Sequence, residues 1–306
     1  MSLKGKVALV TGASRGLGKG IALQLGEAGA TVYITGRTLE DGDSPAPGSL
    51  RHTAKEIEAR GGKAVPIACD HYNDADVAKV FEKIEKDEGR LDLLINNAYS
   101  AVTVFQDNFG RPFWEFPESV WDETNAVGLR NHYLCAVKAA KIMTKQKSGL
   151  IVNVSSPGGK TYIFTPAYGI GKAAVDRMAA DCGIELKSHK VTFISLWPGP
   201  VKTELVQLSI DKRKAAAAAG APPPKPASLE TVGLGANATI HHAFGLGEST
   251  EFSGKCIVAL YNDPKLLEKT GKIITTAAIG KEYGLKDLDG SVVEEIGATS
   301  KGSGSA

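Results

Sequence analysis

A single-domain α/β fold, a doubly wound parallel sheet with helices on both faces, is what this sequence predicts. Three observations carry the expectation. Its short β-branched runs are apolar throughout, as strands covered on both faces must be. The stretches between them are long enough for a helical crossover from one parallel strand to the next. The first run leads directly into a glycine-rich turn and an apolar helix, the start of a nucleotide-binding βαβ unit.

Taken in order, Lys6–Thr11 (KVALVT) is the first strand and Leu17–Ala28 the first helix. Thr31–Thr35 (TVYIT) follows as a strand, then a polar loop, Asp41–Gly48, and a helix over Leu50–Arg60. The strands Ala64–Ala68 and Leu91–Ile95 bracket a helix at Asp74–Lys86. Val104–Pro117 (VFQDNFGRPFWEFP) is unusually aromatic; it is read either as a loop tucked onto the body or as a wall of an apolar substrate pocket. Helices are expected at Val120–Lys145 and Ala167–Lys187, and strands at Leu150–Val154, Val191–Leu196 and Lys272–Thr275. A substrate loop is expected at about 205–250, with a low-complexity, mobile run, Lys214–Pro226, inside it. The domain thus spans 1–283, and 284–306 reads as a polar tail ending in the flexible Lys301–Ala306.

Composition narrows the function. The chain has 306 residues, 42% hydrophobic and 23% charged, which is ordinary for a globular domain. Its 36 basic and 34 acidic side chains leave a net charge of +2, so neither nucleic acid nor an acidic membrane is an expected partner. Cys69, Cys135, Cys182 and Cys256 have no metal-ligand spacing and read as reduced structural thiols. No metal is expected, and the adjacent rings of His241-His242 diverge on any helix. The first strand begins within a few residues of Met1, and no apolar run approaches the ~20 residues of a membrane span. A cytoplasmic protein is therefore expected, with the Asn153 and Asn237 sequons coincidental.

The turn after the first strand reads Gly12-Ala13-Ser14-Arg15-Gly16-Leu17-Gly18. Glycines there let the backbone approach a pyrophosphate, whose charge then lies at a helix N-terminus. Placed between a first strand and an apolar helix, the turn implies a Rossmann fold and a bound dinucleotide. The second strand ends at Gly36-Arg37, with no carboxylate to hold the ribose 2′-hydroxyl of NAD. Arg37, with Arg15 from the turn, suits the 2′-phosphate instead, because a guanidinium pairs bidentately with phosphate oxygens. NADP(H) is therefore preferred over NAD(H).

Tyr168 and Lys172 lie four apart at the start of an Ala-rich helix, on one face. An ammonium ~4 Å from a phenol favours phenolate by about 4 kcal/mol before desolvation, roughly three pKa units, which is the tuning a general acid/base requires. Tyr261 and Lys265 show the same interval, but Pro264 disfavours a helix there, and Tyr261 is read as structural. The strand Leu150–Val154 ends in Ser155-Ser156, whose hydroxyls point in different directions, so one of the two can face the ligand crevice and hold a carbonyl oxygen. Asn125, early in the long helix, offers an amide beside the lysine. Ser155 lies in no Gly-x-Ser-x-Gly elbow, against a hydrolase.

Gly12–Gly18, Asn96-Asn97-Ala98, Asn125, Ser156, Tyr168-x3-Lys172 and Pro198-Gly199-x-Val201-x-Thr203 together resemble the short-chain dehydrogenase/reductase family, in its order and over residues 5–280. The resemblance implies a catalytic tetrad of Asn125, Ser156, Tyr168 and Lys172, reducing ketone or aldehyde carbonyls by hydride transfer from NADPH. It implies a cofactor site of Gly12, Ser14, Arg15, Gly16, Leu17, Gly18 and Arg37, with Asp70 at the adenine and Asn97 and Ala98 at the adenosine ribose. Tyr168 and Lys172 would meet the nicotinamide ribose, and Pro198, Gly199, Val201 and Thr203 the nicotinamide. It also implies a homodimer or homotetramer built on Val120–Lys145 and Ala167–Lys187. Ala30–Arg37, Asn96–Tyr99, Val127–Arg130 and Ser195–Gly199 are similar to a branch of the family that reduces steroids and other apolar carbonyl compounds. Two departures stand out: Tyr99 where the family has glycine, and Gly171 where it has a small hydroxyl residue. If Tyr99 fills the crevice, the alternative is an NADP(H)-binding scaffold with little turnover.

Overall fold

The structure, a computed structural model, describes residues 1–101, 104, 112–218 and 247–295. Outside them lie half of the aromatic loop Val104–Pro117, much of the 205–250 loop, Asn237, His241-His242 and Lys301–Ala306.

The expected sheet is present. Its parallel strands are β1 (Val7–Thr11), β2 (Thr31–Gly36), β3 (Lys63–Ala68), β4 (Leu93–Asn96), β5 (Gly149–Val154), β6 (Val191–Trp197) and β7 (Ile273–Thr275). They are ordered β3-β2-β1-β4-β5-β6-β7. Val10 of β1 pairs with Ile34 of β2 on one side and Ile95 of β4 on the other, so the winding reverses at β1. A crevice opens at that reversal, outside the C-terminal strand ends.

Successive strand residues face opposite layers, which is why the runs carry no polar alternation. One layer packs Ala8, Val10, Ile34 and Val152 against α1 (Gly16–Glu27), α2 (Leu50–Ala59) and Phe252 and Ile257 of a later helix. The other packs Val7, Leu9, Leu94, Ile151 and Phe193 against Val80, Phe81 and Ile84 of α3 (Asp74–Glu88) and more distal helices. Each such Leu, Ile or Phe gains about 1.5–3 kcal/mol from burial. Local signals set the helix ends: Ser49 accepts from His52 N at 3.0 Å at the start of α2, and Asn73 from Ala75 N at 2.9 Å at the start of α3.

The stretch Val120–Lys145 is not one helix. It comprises α4 (Val120–Asn125), a wide turn over Ala126–Arg130, and α5 (Asn131–Gln146). Val127 (φ −112°, ψ 104°) and Gly128 (φ 134°) leave helical geometry. A Cβ on Gly128 would overlap the ring of Tyr99, so the break makes room for that ring. Asn131 Oδ1 accepts from Gly128 N at 2.6 Å, satisfying a donor the break exposes.

The later helices are α6 (Pro166–Leu186), α7 (Glu204–Ala218), α8 (Phe252–Tyr261) and α9 (Thr276–Tyr283). The first residues of the low-complexity run, Lys214–Ala218, close α7. Beyond α9 the chain packs back: Leu285 and Val293 lie against the core, and Asp287 accepts from Ser249 N at 2.7 Å. Among the described residues no helix is long and apolar enough to cross a membrane, no cluster of His, Cys, Asp or Glu has the geometry for a metal ion, and the four cysteines are free.

Candidate active site

The glycine turn is a fitted cradle. Gly12 (φ +70°) and Gly16 (φ +59°) adopt left-handed conformations that glycine tolerates. A Cβ on Gly12 would come within 2.8 Å of Ala98 Cα, and one on Gly18 would overlap Gly12 O and Asn97 Nδ2. Thr11 Oγ1 accepts from Asn97 N (2.9 Å) and Ala98 N (3.0 Å), while Asn97 Nδ2 donates to Thr11 O at 2.8 Å. The ends of β1 and β4 are thereby tied, and α1 begins with its N-terminus toward the crevice. Gly16 N–H donates to a carboxylate, Glu204 Oε2, at 2.8 Å. The cradle already holds an anion from its own chain, and it fits the pyrophosphate of a dinucleotide.

At the end of β2, Arg37 is exposed. Arg15 is clasped by the Asp41–Gly48 loop: its guanidinium donates to Pro47 O (2.8 Å), Gly48 O (2.9 Å) and Ala46 O (3.2 Å). Burial lowers its pKa, Glu204 opposes that, and the neighbouring Arg37 adds to it. Asp70 is exposed at the end of β3 and accepts from Tyr72 N at 3.0 Å. His71, which the sequence reading passed over, lies beside it with Nε2 2.8 Å from Thr35 Oγ1, and burial pushes its pKa down to about 4.

These groups line one cleft of about 1590 Å³, larger than the roughly 300–1,000 Å³ of a single small-ligand pocket. Every residue expected at the cofactor borders it, as do Ser156, Tyr168 and Lys172. Asn125 does not. It sits behind the first turn of α6, with Nδ2 3.4 Å from Ala167 O, in space that a Cβ on Gly171 would take. The departure at Gly171 thus belongs with the position of Asn125.

The two serines separate cleanly. Ser155 Oγ turns away and donates to Lys172 O at 3.3 Å, whereas Ser156 Oγ is 2.7 Å from Tyr168 OH. Thr165 caps α6, accepting from Tyr168 N at 3.2 Å, with Pro166 in the first helical turn. Phe164, held at φ 61°, turns its ring edge-on to Tyr168 at 5.2 Å between centroids. Tyr99 meets Tyr168 edge-on at 6.1 Å, and Val104, Ile163 and Phe164 complete an apolar wall. Tyr99 therefore shapes the crevice beside the phenol while leaving Tyr168 and Ser156 in contact.

The electrostatics differ from the sequence expectation. Lys172 Nζ donates to Val154 O at 3.0 Å and lies 5.7 Å from the centre of the Tyr168 ring and 5.0 Å from that of Tyr99. Burial dominates both groups. It pushes the Tyr168 phenol up to about 12, against the lowering effect of Ser156, and the Lys172 ammonium down to about 8, against the attraction of Asp176. The phenol is held protonated, and the lysine, still mostly charged at pH 7, gives up its proton more readily than a free amine.

A reversed strand order, a glycine cradle and a Ser–Tyr–Lys cluster at one cleft define a nucleotide-dependent oxidoreductase, and the chain belongs to the short chain dehydrogenase family, whose sequence profile matches residues 6–214. It is similar to Dehydrogenase/reductase SDR family member 1 of Mus musculus, 46% identical over 294 residues covering 96% of this chain and 86% of the relative. The Homo sapiens protein of that name is 44% identical over the same shares. Among solved structures it resembles a metagenomic short-chain oxidoreductase in complex with NADP, at 34% identity and a TM-score of 0.57, over 65% of this chain and 84% of the other.

Proposed function

We propose that the protein is an NADP(H)-dependent reductase of apolar ketones and aldehydes, with Tyr168 as general acid. The observation that carries the reading is the 2.7 Å hydrogen bond between Ser156 and Tyr168 at an apolar wall of the cleft. A carbonyl oxygen lodged between these hydroxyls accepts from both. Bound NADPH supplies the hydride. As charge develops on the oxygen, Tyr168 donates its proton, and a phenol held near 12 is loaded for that direction. Lys172 keeps positive charge beside the phenol and would hold the nicotinamide ribose of a bound cofactor. Asn125, behind the first turn of α6, would order a water beside Lys172 through which protons return to Tyr168.

Arg37 at the end of β2 and Arg15 in the glycine turn support NADP(H) over NAD(H), and a similar oxidoreductase was solved with NADP. The apolar ring formed by Tyr99, Val104, Ile163 and Phe164 supports an uncharged, hydrophobic carbonyl compound. The test is Tyr168→Phe, followed by NADPH oxidation with a panel of ketones, aldehydes and quinones. Turnover is expected to fall by about 10²–10⁴-fold while the Kd for NADPH holds. An unimpaired variant would sink the assignment.

A further inference from the structure

Glu248 lies outside every motif discussed so far, yet its side chain holds the loop Pro198–Thr203 in place. It is 3% exposed. Its Oε2 accepts from Thr276 Oγ1 at 2.6 Å and from Gly199 N at 3.2 Å, and its Oε1 from Ser253 Oγ at 3.1 Å. One carboxyl thus gathers donors from the loop, from α8 and from α9. Its backbone is tied to the same loop: Glu248 N donates to Pro200 O at 2.9 Å, Lys202 N donates to Glu248 O at 3.1 Å, and Val201 pairs with it as a parallel bridge.

A hydrophobic side chain would fill this volume without the desolvation penalty of a buried acid. The acid supplies the nearer acceptor for Gly199 N–H, 3.2 Å against 3.4 Å to Thr276 Oγ1, a donor whose direction is fixed by the backbone, at the strand end that borders the cleft. We propose that Glu248 is a positioning residue for the dinucleotide, acting through Gly199 to hold the nicotinamide-end loop in its binding conformation. The inference rests on the reading of Pro198–Thr203 as that loop.

Among the described residues no cation pairs with Glu248; the titratable groups facing it are Asp287, from the segment after α9, and Cys256 on α8. Burial first, with Asp287 adding, raises its carboxyl to about 7, against the lowering effect of its hydrogen bonds. The carboxylate serves all three donors. The protonated acid, like a glutamine, keeps one oxygen as an acceptor: a proton on Oε1 points to Ser253 Oγ, whose hydroxyl rotates to accept, while Oε2 still takes the Gly199 N–H and the Thr276 hydroxyl. Protonation near pH 7 should therefore leave the Gly199 contact in place, and dinucleotide affinity should follow that of a glutamine variant across the range.

The experiment measures the Kd for NADPH by fluorescence titration from pH 6 to 8.5 in wild type, Glu248→Gln and Glu248→Leu, with melting curves on each. A glutamine keeps an acceptor for Gly199 but does not titrate. At pH 8 the leucine variant should bind about tenfold more weakly and glutamine should recover most of the loss. The ratio of wild-type to glutamine Kd should stay near one from pH 8.5 to 6; this ratio cancels titration of the cofactor's own phosphate. A folded leucine variant with wild-type affinity, or a glutamine variant that binds as weakly as the leucine variant, overturns the proposal. If the leucine variant fails to fold, the glutamine variant decides alone, and a Kd severalfold above that of wild type at pH 8 overturns the proposal. Wild type that binds neither NADPH nor NADH removes the cofactor reading itself, an outcome distinct from these.

Discussion

Replacing Lys172 with methionine should make the protein more stable and inactive. The side chain is 8% exposed, and burial brings its pKa from 10.5 to about 8. One pKa unit corresponds to about 1.4 kcal/mol, so holding the charge inside costs about 3 kcal/mol at pH 7. Methionine fills nearly the same volume without the charge. Against that gain stand the orphaned Val154 carbonyl, about 1 kcal/mol, and the lost contact with the Tyr99 ring, about 0.5–1 kcal/mol. A net gain of about 1–2 kcal/mol remains, or roughly 2–6 °C in Tm. Because folding weakens proton binding by this amine, the penalty is complete below about pH 8 and fades as the pH approaches the unfolded value of 10.5. Melts at pH 7 and at about pH 10, with turnover measured alongside, test the reasoning. A variant that melts below wild type at pH 7, or that keeps its advantage at the higher pH, refutes it.

Two further outcomes follow from the same geometry. Gly171→Ala should displace Asn125, since the new Cβ would overlap its Oδ1. Turnover should drop about tenfold with NADPH affinity kept, while the helix-propensity gain of about 1 kcal/mol offsets much of the 1–3 kcal/mol of crowding, a rough range for overpacking; wild-type kcat in this variant would exclude a role for Asn125. Arg37→Ala should weaken NADPH about tenfold or more, the loss of a charge-assisted contact, and leave NADH unchanged. Equal loss for both cofactors would place Arg37 away from the 2′-phosphate.

Much of this was legible in the chain. Strand positions follow from period and apolarity because a sheet buried on both faces tolerates little else, and the glycine cradle follows from positions where a Cβ would collide with backbone. The helix break at Gly128 escaped notice because its cause is Tyr99, distant in sequence; the unusual Tyr after Asn-Asn-Ala was the available clue. Which serine meets Tyr168 depends on side-chain direction at a strand end, so the pair Ser155-Ser156 stayed ambiguous until α6 was in place. Glu204 and Glu248 carry no signal of their own. Each matters through a backbone N–H, Gly16 or Gly199, that only the folded chain brings to it. The expected lowering of the Tyr168 pKa reversed for a related reason: spacing reports that two groups share a helix face, and burial decides what they do to each other.

The Tyr–Lys interval that occurs twice makes the same point from the two ends of the sheet. At the N-terminal edge, Tyr261 OH donates to Asp92 at 3.3 Å, and that carboxylate also takes Arg90 Nη2 at 2.7 Å, Val7 N at 2.9 Å and Lys6 Nζ at 3.6 Å. Burial there raises the Asp92 pKa, but Arg90, the Val7 amide and Lys6 outweigh it, so the charge is matched and the cluster fastens strands. At the C-terminal edge the balance is left unequal: Lys172 and Glu248 are buried among the described residues without an opposite charge in hydrogen-bonding contact, and Phe164 holds a left-handed backbone. Such imbalance lowers stability and survives where a ligand or a reaction uses it. It separates Tyr168 from Tyr261 on physical grounds that the shared spacing cannot supply, and it is why the methionine substitution at Lys172 is expected to stabilise the fold as it removes the chemistry.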